Sequence, residues 1–238
     1  MKKIYLLFIV MSLINLSTTL ATQIDMTKEQ AIKGLLNNIF DDNSKFVKEV
    51  ADQDIINMKN GQEPRATVVM CSDSRIQANV IDNSAVNDLF FIRNIGNQIE
   101  TAKGSIEFGV RHLHTPVLLI IGHVGCGAIE ASHSDYSKES AAIRRELDSL
   151  KLSKGANPKQ GVIDNINYQV KVAMKEFSKE IKDESLLIIG AVYDFKNEYG
   201  FGYNRLIVLN VNGEMKPDAI RANHYLKDIA PIKIGVER

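Results

Sequence analysis

Several short, nearly unbroken apolar runs, separated by stretches of helical periodicity, constrain the fold of this chain more than any other feature. Ala66 to Met70, Leu89 to Ile92, Val117 to Ile121 and Ser185 to Val192 are such runs. A strand wetted on one face alternates apolar and polar residues, whereas a strand covered on both faces does not need to. Between them lie helical patterns at roughly 103–114, 137–150 and 162–182. Strands alternating with helices predict an α/β fold, a mainly parallel central sheet flanked by helices. Residues 201–211 and the turn pair Asn212-Gly213 suggest an added C-terminal edge strand, for which an antiparallel setting is open.

Two helical stretches precede the first strand. Thr27 and Gln30 have capping-box spacing, with Ile32, Leu35, Leu36 and Ile39 following at helical intervals. A second stretch covers about 44–58, with Phe46, Val47, Val50, Ile55 and Ile56 on its apolar side. Further back, Lys2 and Lys3 lead an apolar run from Ile4 to Ile14, and Thr19-Leu20-Ala21 places small residues where a signal peptidase cuts. This reads as a secretory signal peptide over residues 1–21, too short in its apolar part for the roughly 20 residues that span a bilayer. The expectation is export to the periplasm or the extracellular space, with no stable membrane anchor after cleavage. Residues 22–238 then form one domain, with neither repeat nor linker to divide them. Basic and acidic residues balance at 29 each, so no charge excess argues for nucleic acid.

The chain has two cysteines, and in an exported protein that count alone suggests a disulfide. Their surroundings suggest otherwise. The first apolar strand runs directly into Cys71-Ser72-Asp73-Ser74-Arg75, and the third into Gly122-His123-Val124-Gly125-Cys126-Gly127. Functional groups of α/β sheets collect at the carboxyl ends of strands, where both motifs sit. Catalytic zinc takes three protein ligands from nitrogen and sulfur donors and keeps a fourth position open. Cys71, His123 and Cys126 provide such a set if the two strands are neighbours. His112 and His114 end a helix, and His133 and His224 look solvent-exposed; none of the four is assigned to the metal.

Cys-x-Asp-x-Arg followed about fifty residues later by His-x-x-Cys resembles the β-carbonic anhydrases. The likeness extends through Gln62, Arg93-Asn94-Ile95-Gly96-Asn97, Gly104-Ser105-Ile106-Glu107-Phe108 and Gly190-Ala191-Val192-Tyr193-Asp194, in the family's order. The resemblance implies reversible hydration of carbon dioxide to bicarbonate and a proton by a zinc-bound hydroxide, with one zinc per chain. Asp73 would accept a hydrogen bond from the hydroxide, and Arg75 would hold that carboxylate in a bidentate pair. In the family the same aspartate can instead swing onto zinc and close the site. Gln62 resembles a residue offering its amide to substrate from a neighbouring subunit. Phe90 and Phe108 align with the apolar wall of the carbon dioxide pocket, and Gly127 with a backbone N–H near the metal. A homodimer or homotetramer is implied, with N-terminal helices packing on a partner subunit.

One position departs from a subgroup of the family. Members inhibited by bicarbonate at a non-catalytic site have Trp three residues before the first ligand; here that residue is Val68, and the chain has no Trp. Two other functions remain open on the sequence: hydrolysis of carbonyl sulfide or carbon disulfide on the same fold, and a non-catalytic zinc-binding protein.

Overall fold

The computed structural model describes residues 27–50, 52–83, 85–152, 155, 157–229 and 232–236; the signal peptide read at residues 1–21 lies outside them. The described residues form two compact units, one ending at Ile56 and one starting at Asn57.

The first unit is dominated by one long helix, α1, Lys28–Glu49. The capping box at its start is present: Thr27 Oγ1 accepts from Gln30 N at 3.2 Å, and Gln30 Oε1 accepts from Thr27 N at 2.9 Å. The break expected before Ser44 does not occur. Ser44 Oγ donates to Phe40 O at 2.8 Å and Lys45 pairs with Asp42 at 2.8 Å, so the helix passes through the polar stretch. It ends at Val50, whose backbone turns extended, and α2, Asp52–Lys59, follows. No side chain of α1 is buried, although Ile32, Leu35, Leu36, Ile39, Phe40, Phe46 and Val47 recur along it. None of the described helices is long and apolar enough to cross a membrane.

The second unit is built on a six-stranded sheet. In chain order come β1 Ala66–Cys71, β2 Leu89–Asn94, α3 Lys103–Glu107, β3 Val117–His123, α4 Gly127–Ser132, α5 Ala141–Ser149, α6 Pro158–Glu176, α7 Ser178–Lys182, β4 Leu187–Asp194, β5 Arg205–Val211, α8 Pro217–Ala222 and β6 Lys233–Ile234. The strand order is β2-β1-β3-β4-β5-β6. The first four strands in that order are parallel, β5 is antiparallel to β4, and the two-residue β6 forms the C-terminal edge beside β5. The sheet is covered on both faces, as its unbroken apolar strands require: β1 sends Val68 and Met70 into one apolar cluster and Val69 into another.

Two glycines seat α6 on the sheet. A Cβ at Gly122 would stand 2.7 Å from Ile166 Cδ1, and one at Gly190 would stand 2.8 Å from Val170 Cγ2 and 2.9 Å from Ile166 Cγ2. Gly190→Ala should therefore destabilise the protein by about 1–3 kcal/mol, the usual cost of overpacking a filled core. A lower urea midpoint at unchanged slope is the expected reading. An unchanged midpoint would mean that α6 is not held this close.

Chain order reverses between β1 and β3: from β1 the chain crosses to β2 on one side and returns to β3 on the other. Crevices form at the carboxyl ends of strands beside such a reversal. Cys71 closes β1 and His123 closes β3, so both lie at that point.

Candidate metal centre

The turn after β3 brings Cys126 back to the strand ends. Gly125 has φ +60, and Cys126 is the N-cap of α4. The ligand atoms of Cys71, His123 and Cys126 all lie within 4.8 Å of one another, and all three residues are buried. The two sulfurs are 3.9 Å apart. A disulfide needs about 2.05 Å, so the cysteines are free. Two zinc–sulfur bonds of about 2.3 Å at a tetrahedral angle would instead set the sulfurs about 3.8 Å apart.

The imidazole is prepared for the same purpose. His123 Nδ1 lies 3.0 Å from Val124 O, which fixes Nδ1 as the donor and leaves Nε2 with its lone pair. That Nε2 is buried and has no hydrogen-bond partner. An orphaned nitrogen beside two sulfurs is a costly arrangement unless something accepts its lone pair. The cysteines show the complementary need. Cys71 is pulled down to about 4, first by the Cys126 thiol donating to it and also by the Gly96 N–H, against its burial. Cys126 is pushed up, first by Cys71 and then by burial, while the amides of Ile129 and Ala128 work the other way. Two sulfurs 3.9 Å apart repel each other as thiolates unless a cation lies between them, and a divalent cation would take both in that form. The three residues fit zinc.

Asp73 and Arg75 stand beside this group. Arg75 donates from N and Nε to Asp73 Oδ1, both at 2.9 Å, and from Nη2 to Oδ2 at 2.7 Å. The Arg75 pairing holds the Asp73 carboxyl well below the usual carboxylate range, despite partial burial. Asp73 Oδ2 is 3.8 Å from His123 Nε2, near the donor set without entering it. Arg75 is fixed in turn: Nη2 also donates to Gly125 O at 2.9 Å, and its guanidinium carbon lies 4.9 Å from the centre of the Phe195 ring. Phe195 stacks against His123 with ring centres 6.2 Å apart.

The remaining residues read from the sequence are distributed unevenly. Gly127 opens α4 next to Cys126, and a Cβ there would meet nothing within 4 Å. Gln62, Phe90 and Phe108 are not brought to the metal group within one chain. Gln62 lies four residues before β1, exposed, and Phe90 pairs in register with Thr67 rather than with Cys71, which pairs with Asn94. Phe90 stands four residue steps along the strand from Asn94, about 13 Å at about 3.3 Å per step. Phe90 and Phe108 do meet each other, ring centres 6.0 Å apart, at the amino end of the sheet.

Other residues gain roles that their motifs did not reveal. Arg93 Nε donates to Cys71 O at 3.1 Å, and its Nη2 donates to Asp73 O at 2.8 Å and Ile76 O at 2.6 Å, so one guanidinium clamps the Cys-x-Asp-x-Arg loop. Gly96 N donates to Cys71 Sγ at 3.5 Å. Asp194, buried at the end of β4, accepts from the backbone N–H groups of Lys196, Glu198 and Tyr199 at 3.1, 3.0 and 2.9 Å and so fixes the loop that carries Phe195. An Asx-type loop is the local signal for Asp194; partly buried Arg93 stands out only within the Arg-Asn-Ile-Gly-Asn segment, and its long-range clamp has no local signal.

Residues 66–199 match the family model described as carbonic anhydrase. A segment is 40% identical over 73 residues to "Carbonic anhydrase 2" of Mycobacterium tuberculosis, covering 30% of this chain and 35% of that protein. The chain thus spans about a third of the length of the curated relatives it matches first. Among solved structures, the beta-carbonic anhydrase CcaA superposes with a TM-score of 0.65 at 21% identity, covering 74% of this chain and 88% of that one. Two tetrameric beta-carbonic anhydrases from Sordaria macrospora give 0.59 at 22% identity, covering 76% and 98%. At these identities the structural likeness is one of fold.

Proposed function

The chain belongs to the carbonic anhydrase family, matched over residues 66–199, and from that premise we propose that it hydrates carbon dioxide reversibly to bicarbonate and a proton at a zinc centre. The observation that carries this reading is the buried trio Cys71, His123 and Cys126, with the Asp73–Arg75 pair beside it. Zinc supplies Lewis acidity there, which brings the ionisation of water near neutral pH.

The protein's own residues supply the rest. His123 offers Nε2, and the two cysteines offer Sγ. Asp73 is held by three donors of Arg75, two on Oδ1 and one on Oδ2, which leaves Oδ2 free to accept another bond. An acceptor in that place orients the attacking oxygen so that a lone pair faces the carbon of carbon dioxide. Arg75 keeps the carboxylate ionised, so it accepts rather than donates. Burial of all three ligands excludes bulk water from their side of the centre.

The apolar wall and the amide for substrate come from Gln62, Phe90 and Phe108 of a second copy. Their place at the amino end of the sheet supports this, as does the exposed apolar side of α1, where Leu35 is 60% and Phe40 67% accessible. The working unit is then a homo-oligomer, a dimer or a tetramer. Export follows from the leader at residues 1–21, and cleavage after Ala21 would leave Thr22 at the mature N-terminus.

The test is elemental analysis and stopped-flow carbon dioxide hydration on the purified mature protein. One zinc per chain with rapid hydration is expected. Zinc without hydration, but with release of sulfide from carbonyl sulfide or carbon disulfide, would reassign the substrate. Zinc with neither reaction would leave a binding protein.

A further inference from the structure

Helix α6 carries two amides in its buried face, Asn165 and Gln169, each about 1% exposed. They are one helical turn apart, at i and i+4, and so lie on the same side of the helix. Polar side chains kept in such a place are hydrogen-bonded, and these are bonded to one turn. Gln169 Oε1 accepts from Ile99 N at 2.9 Å, and Gln169 Nε2 donates to Asn165 Oδ1 at 3.0 Å. Asn165 Nδ2 donates to Gly96 O at 2.9 Å, and Gly96 N donates to Cys71 Sγ at 3.5 Å. The bonds form an unbroken line from α6 to a metal-ligand sulfur.

The turn needs such support. Gly96 has φ +79, a conformation natural to glycine, and a Cβ there would stand 2.7 Å from Leu150 Cδ2. A larger residue would be strained there by its backbone angle and would displace Leu150. Gln98 Nε2 holds Ile95 O at 2.8 Å on one side, and the α6 amides hold Gly96 O and Ile99 N on the other.

We propose that Asn165 and Gln169 are positioning residues of the metal centre, acting through Gly96 to hold an N–H donor on the Cys71 sulfur. The inference rests on reading that centre as a zinc site. Groups that fix ligands from behind typically change metal affinity by about 10–100-fold when removed. Zinc-loaded full-length protein is mixed with excess chromophoric chelator, and the rate of zinc release is followed by absorbance. Asn165→Leu and Gln169→Leu should release zinc about 10–100-fold faster than the parent protein. Val170→Ala is the reference: it removes buried volume from the same helix but no bond to the turn, and its release rate should stay at the parent value. Since Leu at a buried polar position threatens folding, Asn165→Ala carries the test as well, being small and offering Gly96 O no donor. Parent-like release from the folded variants would overturn the proposal, as would acceleration of equal size in Val170→Ala. A parent protein without zinc would instead defeat the reading of the centre itself.

Discussion

Cys126→Ala is expected to strip the protein of zinc and to reduce carbon dioxide hydration to background. The three ligand atoms lie within 4.8 Å of one another, and no fourth His, Cys, Asp or Glu joins that group among the described residues. Removing one leaves two donors, too few for the tetrahedral site that zinc requires. The loss should exceed the ~10–100-fold typical of groups that merely support ligands. Folding should survive, because the change removes a single sulfur from a large apolar cluster whose other members stay in place. Cys71→Ala and His123→Ala should behave alike. Elemental analysis with a circular dichroism melt separates loss of metal from loss of fold. A Cys126→Ala protein with a full complement of zinc and full activity would show that the site had been misplaced.

The legibility of this centre in the sequence has a physical basis. Cys71 and the His123–Cys126 pair end strands whose apolar runs are conspicuous because the sheet is covered on both faces. Asp73 and Arg75 lie close by in the chain, so their pairing needs no long-range information. Asn165 and Gln169 are the opposite case. At spacing i and i+4 on a helix they look like a solvated face, and only the path of the turn at Gly96 shows them buried. Gln62, Phe90 and Phe108 are legible as a group but lie at the far end of the strands from Cys71.

Boundaries were harder to read than elements. Helix α4 is six residues long and begins with glycine, so periodicity gave it no signal. The helical pattern over 103–114 is real, yet from Phe108 to His112 it widens into a π-helix. There Gly109 rests against β1, where a Cβ would clash with Thr67 Oγ1 at 2.1 Å. Such a contact is a property of the packed sheet and not of the local sequence.

The second large effect is expected at the Asp73–Arg75 pair, and its two halves should fail differently. Asp73→Asn keeps the size of the side chain but gives it an N–H face, which donates where the carboxylate accepts. Zinc content should be unchanged while hydration falls by about 10²–10⁴-fold, the usual contribution of an orienting or proton-handling group. Arg75→Ala removes two donors from Asp73 and one from Gly125 O. The backbone donor at residue 75 remains, so it is the two guanidinium bonds to the carboxylate that are lost, along with the contact to Phe195. Asp73 Oδ2 already stands 3.8 Å from His123 Nε2, so a carboxylate freed from the guanidinium has a short path to the metal. Arg75→Ala should therefore retain zinc, lose most activity and gain an oxygen ligand from Asp73 in the zinc absorption spectrum. The double variant Asp73→Asn with Arg75→Ala should lack that oxygen. If Arg75→Ala remained active with three protein ligands on zinc, the guanidinium would have no part in holding the carboxylate back from the metal.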